Sequence, residues 1–183
     1  MLMLVLACVG FVGAPDGSGD TALEDSDAAD DSLCSSAQDA SVPVGPDCYS
    51  GSLACGGEVT ATTAGGLSTY ETEDYGHLFC LTDLAAQGYT GTERVYFVDA
   101  GDDVYAHARL DAPCAHMGLS VLRWADAAVC PDPEGSATAC EGDEGTGSIS
   151  VLFGGFPENN TWAIVVDTAG AAAAPFRLSI DCG

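Results

Sequence analysis

The chain has no lysine. Its basic residues are four arginines, Arg94, Arg109, Arg123 and Arg177, set against 28 Asp and Glu for a net charge of −24. Binding to phosphate needs cationic neutralisation, so this balance excludes nucleic acid and anionic lipid head groups as partners. Also missing are C-x-x-C, H-E-x-x-H, G-x-S-x-G, the P-loop and the dinucleotide-binding glycine pattern, and with them the zinc-ribbon, thioredoxin and common hydrolase and nucleotide readings. A Ser/His/Asp triad could be drawn from many serines, but geometry defines a triad and sequence order does not. No enzyme is therefore expected. No segment carries a helical apolar stripe, and the opening run Met1 to Ala14 is shorter than the roughly 20 residues a spanning helix needs.

What the chain does have is cysteine, nine in all: Cys8, Cys34, Cys48, Cys55, Cys80, Cys114, Cys130, Cys140 and Cys182. Without metal-ligand spacing, their natural use is in disulfides outside the cytoplasm. An odd count leaves one thiol over. Val5-Leu6-Ala7-Cys8 has the form of a bacterial lipobox, which would assign Cys8 to lipidation and leave an even set of eight. Residues 1–6 carry no base and fall short of a full apolar signal core. Either a longer signal lies upstream, or the run ends a non-lipid signal cut near Gly13-Ala14. Residues 1–14 are thus read as a signal segment and residues 15–47, rich in Asp, Ser, Gly and Ala, as an acidic disordered tether. Cys34 and Cys48 bracket the end of the tether and could close a small loop. Cys130 and Cys140 flank a Pro/Gly/Ser loop and are natural partners, a closure worth about 2–3 kcal/mol. Eight cysteines allow 105 pairings, so Cys55–Cys182 and Cys80–Cys114 are only two options among many.

From Cys48 to the end the pattern becomes period-two alternation broken by Gly, Pro, Asp and Asn. Val104, Ala106, Ala108 and Leu110 share one face, with Tyr105, His107 and Arg109 opposite. Ile149, Val151 and Phe153 share a face, as do Trp162, Ile164 and Val166, and Phe176, Leu178, Ile180 and Cys182. Each set reads as a half-buried strand. Further strands are expected at HLFCLT, ERVYFVDA and LSVLRWA. Many short strands without crossover helices predict an all-β antiparallel sandwich over 48–183, jelly-roll-like, with about seven to nine strands.

Three stretches carry a resemblance. Gly91-Thr92-Glu93-Arg94-Val95-Tyr96 resembles the Gly-Pro-Glu-x-x-Tyr opening of a strand in the bacterial pre-peptidase C-terminal (PPC-like) domains. Thr161-Trp162-Ala163-Ile164-Val165-Val166-Asp167 is similar to their late Tyr-x-hydrophobic-x-Val-Asp strand, and Phe176-x-Leu178-x-Ile180-x-Cys182 to their last. Where that family often has Asp-x-Asp-Leu, this chain has His116-Met117-Gly118-Leu119. The resemblance implies a β-sandwich acting as a non-catalytic accessory or binding module. It would be tethered to the cell envelope as a lipoprotein and take an extracellular protein or polysaccharide as ligand. A secreted hydrolase and a structural envelope component are the alternatives.

The best cation candidate is the turn Asp99-Ala100-Gly101-Asp102-Asp103, with Asp167 at the end of another strand, as a calcium site. An ordinary hairpin turn with solvated charges accounts for the same residues, and no cofactor is required. A His107/Cys114/His116 zinc site competes with Cys114 as half of a disulfide. Trp124, Tyr96, Tyr105 and Trp162 could form an aromatic ligand face, or serve as core and cross-strand residues.

Overall fold

A computed structural model describes residues 30–36, 48–77, 88–102, 104–124, 126, 129–132, 137–170 and 172–183. The elements in chain order are α1 (Asp30–Ser36), β1 (Tyr49–Leu53), β2 (Glu58–Thr62), α2 (Thr72–His77), β3 (Arg94–Asp99), β4 (Tyr105–Arg123), β5 (Cys140–Gly154), β6 (Thr161–Thr168) and β7 (Pro175–Cys182). The fold is the expected all-β sandwich, built from one continuous seven-stranded sheet in the order β1-β3-β6-β4-β7-β2, with β5 beside β4.

The long strand β4 makes two layers from that one sheet. Its first half pairs with β7 from Ala106 to Asp111, and its second half pairs with β6 from Met117 to Arg123. On its other edge it pairs with β5 along nearly its whole length. The register breaks between Ala112 and Met117, where the facing strand passes only from Gly147 to Gly145. Such an insertion bends a strand and increases its twist. The hairpin turns a corner there, closing the sheet into a nearly complete barrel. The first layer is β2-β7-β4-β5 and the second is β1-β3-β6-β4-β5. One departure from the expected antiparallel pattern is β1, which runs parallel to β3. A parallel neighbour needs a long crossover, and residues 54–93 supply it.

The inward faces follow the alternation. Ala106, Ala108, Leu110, Phe176, Leu178 and Ile180 from the first layer are fully buried, as are Val98, Leu119, Val121, Ile164 and Val166 from the second. Two edge-on ring contacts cross the interior: Tyr96 with Phe176 at 6.3 Å and Phe153 with Trp162 at 5.2 Å between centroids. The second layer is not half-buried as its alternation predicts. Its outer face, with Val95, Leu122, Ala163 and Val165, is covered by Tyr70, Tyr75 and Tyr89 to form a second apolar cluster.

The disulfides tie distant parts of the chain together. Cys34 joins Cys114, Cys48 joins Cys130 and Cys55 joins Cys182. The Cys55–Cys182 option is correct. The others are corrected: Cys34 and Cys48 do not close a loop on each other, Cys130 does not join Cys140, and Cys114 is taken by Cys34. Spacing along the chain misled because the corner of β4 carries Cys114 out to α1, and β1 begins beside the segment holding Cys130. Cys140 is also disulfide-bonded, to a partner outside the described residues. The expected disorder of 15–47 does not hold at α1, which the bridge to Cys114 and the burial of Leu33 fix against the sandwich. Residues 1–29 and 37–47, including Cys8, lie outside the described residues, as do Cys80 and residues 78–82 of the strand expected at HLFCLT, whose first residue, His77, ends α2 instead. Three such bridges indicate an oxidising, extracytoplasmic setting. No helix among the described residues is long and apolar enough to cross a membrane.

Candidate functional site

Two concave regions are formed by described residues. The first is a cleft of about 650 Å3 over the outer face of the second layer, lined by Ser68, Tyr70, Glu71, Thr72, Glu73 and Tyr89, among others. Beneath it lies a buried acid–phenol cluster. Asp167, 1% exposed at the end of β6, accepts a hydrogen bond from the Tyr75 hydroxyl of α2 and another from the Thr168 amide at 2.6 Å. Burial pushes its carboxyl up from 3.8 to about 6 against those two hydrogen bonds. Glu93, fully buried just before β3, takes the amides of Thr69 at 2.6 Å and Tyr70 at 3.4 Å on Oε1. Its Oε2 has no partner among the described residues, and burial raises its carboxyl too. These two acids fasten the segment 69–75 onto the sheet.

The phenols of the cleft are committed to the fold. Tyr70 donates to the Pro131 carbonyl at 2.9 Å, Tyr89 to Glu144 Oε2 at 2.9 Å, and the Thr72 hydroxyl to the Tyr89 carbonyl at 3.1 Å. Tyr89 lies across Gly118, where a Cβ would sit 2.8 Å from the ring. Glycine at this position, within the departure from the PPC-like pattern, makes room for the phenol. On the inner side, Arg94 is fully buried, and its guanidinium donates to the carbonyls of Thr62 and Ala64. It closes the end of the sandwich by joining β3 to the turn after β2.

The second concavity, about 260 Å3, opens beside β5 and is lined by Tyr105, Glu141, Leu152, Phe153, Phe156 and Trp162, among others. Tyr105 is 56% exposed and Leu152 51% exposed. The Arg123 guanidinium sits 3.9 Å from the Phe156 ring centroid and donates to the Glu158 carbonyl at 2.8 Å.

No family model matches the chain, and no curated protein or solved structure matches it.

The calcium set is not brought together as expected. Asp99 faces Thr161 at one end of β6, while Asp167 lies near the other, about 20 Å away along the strand. Asp99 Oδ1 instead accepts the Gly101 amide at 3.0 Å, capping its own turn, and Asp102 is exposed in that turn. Asp103 lies outside the described residues. No group of three metal-ligating side chains occurs among the described residues. The imagined zinc site is corrected because Cys114 is disulfide-bonded, while His116 reaches Glu144 at 3.5 Å and His107 is exposed on β4. His77 is the last residue of α2. The four aromatics do not share a face. Tyr96 and Trp162 are core, Trp124 is half-buried and donates to the Val129 carbonyl at 2.8 Å, and only Tyr105 is exposed. Sequence reading missed Tyr75, Tyr89 and Glu93. The one available signal was Ala163-Ile164-Val165-Val166, an unbroken apolar run that indicates a strand covered on both faces.

Proposed function

We propose that this chain is a non-catalytic binding or accessory module of the bacterial cell envelope, a PPC-like sandwich tethered through lipid on Cys8. The observation that carries this reading is how three hydroxyls lining the 650 Å3 cleft are used. The hydroxyls of Tyr70, Thr72 and Tyr89 each donate into the fold. They shape a rigid surface and are not paired with one another as nucleophile and base. The disulfides support an extracytoplasmic address, and the acidity supports a ligand that is neutral or cationic.

The test exposes the oxidised chain to envelope polysaccharide, to secreted protein, and to chromogenic ester, glycoside and peptide substrates. Saturable retention of one ligand class without turnover is expected. Saturable hydrolysis that follows the chain through purification would replace this reading with the hydrolase. The lipid anchor is tested separately by the mass of the peptide holding Cys8, where a diacylglyceryl adduct is expected and an unmodified thiol would sink it.

A further inference from the structure

Among the described residues the outer edge of β5 has no strand beside it, and half of it carries no charge. Among the described residues β5 pairs only with β4, so its other edge presents a row of unpaired backbone groups, a template for another chain. Natural edges are blunted by charge, proline, bulges or shortness. β1 and β2 are short, five residues each. The first half of β5 carries Glu141, Asp143 and Glu144 and ends at Gly147, whose φ is 95°. Residues 148–154, Ser-Ile-Ser-Val-Leu-Phe-Gly, have no charge at all in a chain of net charge −24. Apolar surface gathers there too, with exposed Leu152 on the strand and exposed Tyr105 opposite Gly154. The Tyr105 ring is held over Gly155, where a Cβ would come within 2.3 Å of it. The 260 Å3 hollow opens at this same stretch.

From this juxtaposition we infer that residues 148–154 are a docking edge for an extended basic segment of another protein, which adds to the sheet as an outer strand. The inference rests on the binding-module reading and names its partner. In strand addition, main-chain hydrogen bonds supply affinity and pockets for alternate side chains supply selectivity. The hollow takes one apolar or aromatic side chain between Tyr105, Leu152 and Phe156. Basic side chains run toward Glu141 and Asp143, both exposed on the same strand. Charge decides against a second copy of this chain, since pairing two edges brings together two bodies of −24 each. Arg123, the cation near the hollow, is already held by the Phe156 ring and the Glu158 carbonyl.

The test titrates the oxidised chain with a synthetic peptide, Lys-Val-Lys-Val-Lys-Tyr-Lys, and with the same peptide N-methylated at alternate residues. Methylation keeps every charge and side chain but removes main-chain donors. The plain peptide is expected to bind and to slow amide exchange within 148–154. Methylation, added salt and Leu152→Lys should each weaken it roughly tenfold or more, while Thr60→Lys on the β2 edge should leave binding unchanged. Equal binding of both peptides, or protection elsewhere, would overturn the inference, and so would a peptide-free dimer dispersed by Leu152→Lys. If the peptide fails while polysaccharide is retained, the docking edge is lost and the binding module stands.

Discussion

The fastening of segment 69–75 by a buried acid makes stability depend on pH in an unusual direction. Most native carboxylates are held below their unfolded values and stabilise the fold as pH rises. Asp167 is displaced the other way, from 3.8 to about 6. The folded state therefore binds its proton more tightly than the unfolded chain does. The contribution is fully present below the unfolded value and disappears as pH rises through the folded one, so the window runs from about pH 4 to about pH 6. A displacement of that size corresponds to about 3 kcal/mol. The groups facing Asp167 are Tyr75 from α2, Tyr89 and Glu93; burial also raises Tyr75 and Glu93, and neither phenol titrates in this window. The whole chain also sheds negative charge on acidification, so the wild-type profile alone is not diagnostic. Asp167→Asn removes the titration and keeps an acceptor oxygen for one of the two donors, Tyr75 or Thr168, with an amide nitrogen in place of the other oxygen. Urea unfolding of both proteins from pH 4 to pH 8, with disulfides intact, is the assay. The variant should gain on the wild type by about 2–3 kcal/mol between the two ends, most of it before pH 7. Parallel stability curves would refute the reasoning, because they would mean Asp167 titrates alike in both states.

Other perturbations test the rest of the fold. Replacing Cys55 and Cys182 together by alanine opens a closure with a sequence separation of 127. The chain-entropy relation puts that loss at up to about 5 kcal/mol, read as a lower midpoint in guanidinium, and an unchanged midpoint would show the bridge is dispensable. Arg94→Lys cannot reach the carbonyls of both Thr62 and Ala64 with a planar fork, so a loss of about 1–3 kcal/mol is expected in the same measurement. Gly118→Ala drives a methyl into the Tyr89 ring, costing about 1–3 kcal/mol. A double-mutant cycle with Tyr89→Leu should recover part of it, and strict additivity would show that the two do not touch.

The interior was legible in the sequence because one mechanism wrote it. Wherever a strand keeps one face in the core, as in Ala106, Ala108 and Leu110 or Phe176, Leu178 and Ile180, alternation marks the face directly. It failed where a second layer of side chains arrives from far away. Asp167 is 92 residues from Tyr75, and nothing local to β6 announces the tyrosines covering it. The first half of β5, Cys-Glu-Gly-Asp-Glu-Gly-Thr-Gly, has no strand signal of its own; pairing to β4 imposes its conformation. The acidic turn showed the reverse error. Asp99 and Asp102 are three positions apart in one turn and look convergent, yet Asp99 commits an oxygen to its own backbone.

The bridge from α1 to the corner of β4 has a mechanical consequence. A pull on the N-terminal side of the chain travels to Cys34 and leaves through sulfur to Cys114, bypassing the chain across a sequence separation of 80. The short parallel strand β1 stays slack and is not peeled from its edge. Load enters instead at the bend where both layers share one backbone, flanked by partners before and after it. Tension at that hinge point must shear several ladders at once, so a domain of this design should resist a pull from its N-terminal side better than its modest size suggests.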